Sequence, residues 1–183
     1  MFVPMTEEVK RAREFAIKAH GDQMYGDEPY IVHLDEVAGI LHEFGIMETI
    51  FTNAYIVAYL HDTIEDTDIT YEDVREEFGE TIAVNVAAVS TPEGKNRAVR
   101  TSLLYQYIQS IKPAESRDRM YATFLVKPAD RLANVRRGGK VEMYRKETAG
   151  FLKVFSRRSV QCPSVIRQML DEIEELAPPI IDN

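Results

Sequence analysis

Residues 60–67, which read LHDTIEDT, concentrate most of the side chains that could do chemistry in this chain. Residues three or four positions apart on a helix face the same way, so His61, Asp62, Glu65 and Asp66 would project from one broad sector. Carboxylates crowded this closely repel one another and are rarely buried without a partner. A divalent cation removes that cost, because it takes imidazole nitrogen and carboxylate oxygen as ligands. The stretch therefore predicts part of a metal site.

Two residues elsewhere could complete that site. His33 lies one turn into a predicted second helix, and Asp130 precedes an arginine. Each alone has an ordinary structural explanation, a satisfied histidine or a surface ion pair. The pair Glu65-Asp66 could likewise be a solvated helix end.

The elements that must position these residues are predicted to be helices, since helical periodicity dominates and no convincing run of alternating strand residues occurs. Thr6 can cap a first helix, and Pro29 suits the entry to a second. A third predicted helix, residues 48–64, is rich in apolar side chains. It would carry His61 and Asp62 in its last turns.

The remaining segments fit the same class. Residues 70–73 read TYED and resemble a capping box that opens a short helix. Asp130 lies in a further helical segment, whose start Pro128 would disturb because proline lacks a backbone donor. No repeat or linker divides the 183 residues, which suffice to bury one substantial core. We predict an all-α, single-domain helical bundle over residues 1–183.

The amino-acid composition limits the kinds of molecule that the protein could bind. The net charge of −8 and the pI near 5.1 argue against binding to duplex nucleic acid or to anionic membranes. A phosphorylated small molecule remains compatible, because local arginines and lysines can act with a metal. Cys162 is the single cysteine, which excludes an intramolecular disulfide. No signal peptide or membrane-spanning apolar run is found, so a reduced, cytoplasmic setting is expected. The oligomeric state, including a homo-oligomer, stays open.

Three motifs occur in a characteristic order: PYIVH at residues 29–33, LHDTIED at residues 60–66 and KPADRLAN at residues 127–134. This pattern resembles the HD-domain metal-dependent phosphohydrolases. More closely, it is similar to the hydrolase domain of the RelA/SpoT-type alarmone enzymes and their small stand-alone relatives. The resemblance runs from about residue 12 to residue 155 and implies an all-helical bundle of the HD type.

The resemblance also implies roles for individual residues. It implies a metal site, most often filled by manganese, with four ligands: His33, His61, Asp62 and Asp130. It further implies that Glu65 and Asp66 hold and activate the water, and that Asn134 lines the substrate pocket. The chemistry of the residues agrees, since a bound ion acts as a Lewis acid and a neighbouring carboxylate can take the proton of the water as general base.

The substrate side departs from the family pattern. The alarmone hydrolases usually carry an Arg-Lys pair before the Pro-Tyr-x-x-His motif, whereas residues 23–28 here read QMYGDE and contain no basic residue. Tyr25 could stack on a base instead. Lys95, Arg97 and Arg100 could meet phosphate, or they could simply open an exposed helix. Tyr144 resembles a pocket tyrosine of the relatives. This departure does not affect the predicted metal site, but it leaves the identity of the substrate open.

Three hypotheses follow. The leading one is a metal-dependent hydrolase of a phosphorylated nucleotide, with guanosine 3′,5′-bis(diphosphate) as the expected substrate. The second is an HD phosphohydrolase acting on another nucleotide or on a phosphate monoester. The third, from a different class, is a non-catalytic metal-binding sensor or scaffold. The presence of Glu65 and Asp66 counts against the third, because a sensor has no need of a pair that activates water.

Overall fold

Helices form nearly all of the regular structure, which confirms the predicted all-α class. The computed structural model describes residues 5–47, 51–92, 94–110, 117–156 and 164–180, with side chains throughout except at residues 117–121 and 156. The helices are α1 (Glu7–His20), α2 (Ile31–Glu43), α3 (Thr52–Leu60), α4 (Thr63–Asp66), α5 (Tyr71–Phe78), α6 (Glu80–Val89), α7 (Arg97–Ser110), α8 (Arg117–Arg136), α9 (Val141–Ser156) and α10 (Ser164–Leu176). Within the described ranges, no helix combines the length and apolar character needed to cross a membrane.

Two helix starts follow the caps expected from sequence. The hydroxyl of Thr6 accepts a hydrogen bond from the backbone N–H of Val9 at 3.4 Å and opens α1. At α5 the capping box is complete, because Thr70 Oγ1 accepts from Asp73 N at 3.2 Å while Asp73 Oδ2 accepts from Thr70 N at 2.8 Å. Each cap satisfies donors that the first turn of a helix leaves free.

The third helix ends earlier than predicted. It closes at Leu60, and the proposed start at residues 48–50 lies outside the described residues. The backbone of Asp62 has φ −102° and ψ −4°, which departs from the geometry of a regular helix, before α4 begins at Thr63. The hydroxyl of Thr63 donates to the carbonyl of Leu60 at 2.7 Å and so ends the helix. The prediction of one helix through residue 64 is wrong, and His61 and Asp62 lie at a junction between two helices.

The other correction concerns Pro128. It lies inside α8, which continues through it, so the prediction that it disturbs a helix start is wrong. An interior proline costs roughly 3 kcal/mol. The turns on either side carry Phe124, Leu125 and Leu132, all fully buried. Burying each such side chain contributes roughly 1.5–3 kcal/mol, which together outweighs the cost of the proline.

Helix α8 lies at the centre of the packing, in contact with α2, α3, α6 and α10. Helix α3 is buried on every side from Ala54 to Leu60, as an evenly apolar helix must be. The metal-ligand candidates therefore come from elements fixed in the core, with His33 on α2, His61 at the end of α3 and Asp130 on α8. That residues 1–183 form a single domain stays a prediction.

A short antiparallel hairpin lies within the predicted loop before α2. Its strands, β1 (Met24–Tyr25) and β2 (Glu28–Pro29), are too short to give an alternating sequence pattern. Gly26 has a φ of 66°, a conformation that glycine adopts without strain. The backbone N–H of Tyr30 donates to the carbonyl of Gln23 at 3.0 Å and closes the base of the hairpin.

Arg137, just past the end of α8, holds this hairpin in place. Its guanidinium pairs with Glu28 of β2 and with Glu36 of α2, the latter at 3.0 Å. The same group lies 4.6 Å from the ring centre of Tyr25. The hairpin is thus fixed against α2 and α8 beside the metal-ligand candidates.

Candidate metal centre and substrate cavity

The structure brings together the four residues predicted to bind metal. His33 Nε2 lies 3.3 Å from Asp130 Oδ1 and 3.7 Å from Asp62 Oδ2. His61 Nε2 lies 3.0 Å from Asp62 Oδ2 and 3.8 Å from Asp130 Oδ1. The ligand atoms offered by His33, His61 and Asp62 all fall within 4.8 Å of one another. Three distant segments therefore converge on one point.

The hydrogen bonds of His61 show that this point suits a cation. The ring is fully buried, and its Nδ1 lies 2.8 Å from the carbonyl oxygen of Ala58. A carbonyl only accepts, so Nδ1 carries the proton and Nε2 of the neutral ring presents a lone pair. Within the part of the chain that the structure describes, this buried Nε2 has no hydrogen-bond partner. A lone pair facing two carboxylates fits a divalent ion held between them.

The electrostatics of the cluster point the same way. Burial works against protonation of His61, but the negative charges of Asp62 and Asp130 beside the ring raise its pKa to about 10. Burial likewise opposes ionisation of Asp62, yet His61 holds the pKa of this carboxyl well below its usual range. Burial is also outweighed at Asp130, where Lys127 and both histidines lower the pKa. The cluster thus attracts positive charge strongly, and a metal would displace the proton.

Asn134, predicted to line the pocket, also orients a ligand. Its Nδ2 donates to Asp130 Oδ1 at 2.7 Å and to the Asp130 carbonyl at 3.0 Å. The hydroxyl of Tyr25 in turn donates to Asn134 Oδ1 at 2.9 Å. The ring of Tyr25 packs against His33, with ring centres 4.6 Å apart, and against Arg137. Tyr25 therefore contacts the site through its hydroxyl. Its ring, which was expected to stack on a base, packs against His33 and Arg137.

The acidic pair lies at the solvent side of the cluster. Glu65 and Asp66 are both exposed and both line the cavity described below. Glu65 Oε2 accepts from the backbone N–H of Thr91 at 2.9 Å. Asp66 Oδ2 lies 3.2 Å from the hydroxyl of Tyr30, which also donates to Asp62 Oδ2 at 2.6 Å. Both carboxylates are thus held at the edge of the predicted metal site while open to water.

A cavity of about 210 Å³ extends from the metal-ligand cluster to a group of cationic side chains. These side chains are Arg97, Arg100 and Arg131. Lys127 also lines the cavity, but it lies at the metal end, with its Nζ 3.5 Å from Asp130 Oδ2. Arg97 forms two hydrogen bonds with Glu147, at 2.6 and 3.1 Å, and Arg131 pairs with the same carboxylate at 3.0 Å. Lys95 is exposed and does not line the cavity, so the structure gives its predicted contact no support.

The far wall of the cavity includes Tyr144, as its resemblance to a pocket tyrosine implied. The guanidinium of Arg131 lies 4.5 Å from the Tyr144 ring centre and 4.7 Å from that of Phe151. Arg131 is almost fully buried, and its Nη1 finds no hydrogen-bond partner among the residues that the structure describes. This end of the cavity therefore holds a donor that a ligand could satisfy.

Residues 12–150 match the family profile described as the HD domain, which covers most of the chain. The chain belongs to the HD-domain family. The match, together with the cluster of His33, His61 and Asp62, supports a divalent-metal site in this HD domain. The predicted bundle of the HD type is confirmed.

Several characterised proteins are similar to this HD domain. A guanosine-3′,5′-bis(diphosphate) 3′-pyrophosphohydrolase of Aquifex aeolicus is 42% identical over 132 residues, which cover 71% of this chain and 18% of the relative. A GTP pyrophosphokinase of Myxococcus xanthus is 35% identical over 73% of this chain and 17% of its own length. The chain thus spans less than a fifth of these two relatives. The structure of a metazoan ortholog of SpoT, described as hydrolysing ppGpp, matches with a TM-score of 0.73 and 22% identity over 98% of this chain and 100% of that one. That likeness shows the shared fold.

Sequence reasoning assigned no role to three residues of the HD-domain site: Tyr30, Lys127 and Arg131. Tyr30 and Lys127 stand inside the quoted motifs, yet only the fold shows that they contact Asp62 and Asp130. Arg131 pairs with Glu147. Its position over Tyr144 depends on the packing of α8 against α9, which no local spacing encodes.

Proposed function

We propose that this HD domain is a metal-dependent phosphohydrolase that removes the 3′-diphosphate of guanosine 3′,5′-bis(diphosphate) as pyrophosphate. The observation that carries the proposal is the convergence of two histidines and two aspartates beside an acidic pair, at one end of a cavity whose other end is rich in arginine. The name of the Aquifex relative supports the choice of substrate.

Four residues would hold the ion: His33, His61, Asp62 and Asp130. A bound divalent ion, which we propose to be Mn²⁺, would supply Lewis acidity toward a phosphate oxygen and lower the pKa of water. Glu65 and Asp66, which are exposed at the cavity edge, would take the proton of the attacking water. The water oxygen bonds to the phosphorus attached to O3′, and the bond from that phosphorus to O3′ breaks. O3′ takes up a proton, which leaves guanosine 5′-diphosphate and pyrophosphate.

The cationic end of the cavity suits the second diphosphate. Arg97, Arg100 and Arg131 carry three positive charges, and Glu147 offsets one of them. Arginine binds phosphate through paired, charge-assisted hydrogen bonds. A nucleotide with phosphate groups at both ends would therefore satisfy both ends of the cavity, whereas a simple monoester would satisfy only one.

A second candidate is hydrolysis of another nucleotide or of a phosphate monoester. It is favoured by the hairpin, where residues 23–28 contain no basic side chain and Arg137 is already paired with Glu28 and Glu36. A non-catalytic sensor is disfavoured because Glu65 and Asp66 both face the cavity. The cytoplasmic location, the absence of nucleic-acid and membrane partners and any homo-oligomer stay predictions.

The test is a product assay with purified protein and Mn²⁺. Guanosine 3′,5′-bis(diphosphate) should give pyrophosphate and guanosine 5′-diphosphate in equal amounts, while guanosine 5′-diphosphate alone should give no product. An Asp62→Asn variant is the control for a contaminating enzyme. Inorganic phosphate released from other nucleotides or monoesters, with no pyrophosphate from the bis(diphosphate), would support the second candidate. No product from any substrate with Mn²⁺, Fe²⁺ or Zn²⁺ would support the sensor.

A further inference from the structure

We propose that Tyr30 is a positioning residue that ties the water-activating carboxylate Asp66 to the metal ligand Asp62; the inference rests on the proposed function. The phenolic oxygen of Tyr30 lies 2.6 Å from Asp62 Oδ2 and 3.2 Å from Asp66 Oδ2. Tyr30 immediately precedes α2, and His33, one turn further along, belongs to the same cluster. One hydroxyl therefore connects the predicted metal site to the predicted base.

The ring of Tyr30 is held firmly enough to do this. It stacks on His20, with ring centres 4.3 Å apart and an angle of 17° between the planes. His20 is itself buried, and its Nδ1 bonds to Gln23 Oε1 at 2.8 Å. On other sides the Tyr30 ring meets Tyr25 and His33 in edge contacts, at 6.0 and 5.7 Å. With the ring fixed by three aromatic neighbours, little freedom remains for the hydroxyl except rotation of its proton.

The hydrogen bonds that a phenolic hydroxyl can form explain how Tyr30 acts on the two carboxylates. A hydroxyl has one proton to donate and lone pairs with which to accept. Tyr30 donates to the nearer carboxylate, Asp62, and thereby fixes one ligand oxygen in the orientation that faces His61. The same oxygen lies 3.2 Å from Asp66 Oδ2, so the two carboxylates are held on either side of one hydroxyl. Without the hydroxyl, Asp62 and Asp66 would face each other with no donor between them.

The experiment is the Tyr30→Phe variant, which keeps the ring and its stack on His20 and removes only the hydroxyl. We expect the affinity of the metal-free protein for Mn²⁺, measured by calorimetry, to fall about tenfold. We expect kcat to fall on the order of 10- to 100-fold with little change in KM, as is typical when a group supporting a metal ligand is lost. The matched control is Tyr59→Phe, which also removes a hydroxyl from a buried ring, here one that donates to Asp35 Oδ1 at 3.1 Å outside the cavity.

Two results would overturn the proposal. One is a Tyr30→Phe protein with the Mn²⁺ affinity and kcat of the wild type. The other is an equal loss of both in Tyr59→Phe, which would reduce the role of Tyr30 to general stability. Failure of the proposed function is a separate outcome. If the wild-type protein releases no pyrophosphate, the Mn²⁺ titration of the two variants still decides whether Tyr30 orients Asp62.

Discussion

The metal end and the arginine end of the cavity hold their charges in different ways. At the metal end three of the four predicted ligands have a hydrogen-bond partner, since Ala58 fixes His61, Tyr30 fixes Asp62 and Asn134 fixes Asp130. The fourth, His33, is buried, and its Nδ1 has no hydrogen-bond partner among the described residues. At the other end Arg97 and Arg131 share the single carboxylate of Glu147, and Arg100 forms no ion pair with any described residue.

On the proposed function, this difference corresponds to two tasks. Catalysis on a phosphate ester needs ligands held within a fraction of an ångström, so the metal end is buried and tied by hydrogen bonds. Binding an anion needs donors in excess of acceptors, so the arginine end keeps a surplus of positive charge. We therefore expect changes at the metal end to remove turnover or metal, and changes at the arginine end to weaken substrate binding.

The largest effect is expected at His61. His61→Ala should lose measurable Mn²⁺ binding and lower the thermal stability, because the ring is fully buried and ligand binding is linked to folding. Calorimetric titration and thermal melts with and without chelator check this, with His42→Ala, near the end of α2, as control. If chelator leaves the melting temperature of the wild-type protein unchanged, the ion does not contribute to stability.

The acidic pair should separate catalysis from metal binding. Glu65→Gln combined with Asp66→Asn should reduce kcat by at least about 100-fold, the usual contribution of a general base, and should spare Mn²⁺ affinity. Steady-state assays and calorimetry on the same preparation measure both. Glu76→Gln combined with Glu77→Gln, an exposed pair on α5, removes the same charge elsewhere. A rate near that of the wild type in the first variant would show that the assigned roles are wrong.

At the arginine end the expected effect is on KM. Arg97→Ala should raise KM for the bis(diphosphate) roughly tenfold, the cost of one charge-assisted hydrogen bond, with a smaller change in kcat. Lys95→Ala tests the neighbouring predicted contact and should change KM little, because Lys95 does not line the cavity. Equal effects of the two variants would indicate a general electrostatic attraction and no specific contact.

The sequence was most informative where residues of suitable chemistry lie in recognisable motifs. His33, His61, Asp62 and Asp130 could be named because the motifs that contain them resemble those of the HD-domain phosphohydrolases, and because imidazole and carboxylate groups are suitable metal ligands. The break at Asp62 could not be foreseen, since helical periodicity continues on both sides of it and Thr63 ends the helix through its side chain.

Contacts between residues far apart in the sequence could not be predicted either. Arg137 packs on Tyr25 although 112 positions separate them, and Tyr30 meets Asp62 across 32 positions. Such pairs depend on how α2, α3 and α8 pack, and that packing reflects the whole core. Local spacing carries no signal for them.

The smallest expected effect concerns the pH dependence of stability at Glu147. Burial opposes ionisation of Glu147, but the hydrogen bond from Arg97 and the charge of Arg131 keep its pKa below the ordinary value of 4.5. A carboxyl whose pKa is lower in the folded state stabilises that state above its unfolded pKa, and the contribution is lost as the pH falls through the folded pKa. The difference in the free energy of unfolding between the wild type and Glu147→Gln should therefore be largest at neutral pH and should decrease below pH 4.5.

Urea denaturation between neutral pH and a pH of about 3 measures this difference for both proteins. The same pair of curves in an Arg97→Ala background supplies the control, because removing the main hydrogen-bond donor should flatten the pH dependence. A difference that stays constant with pH in both backgrounds would mean that the arginines do not stabilise the ionised form of Glu147. Glu147 would then neutralise less of the positive charge of Arg97 and Arg131 than the ion pairs suggest. The arginine end would differ even more from the metal end, where the charged groups are paired.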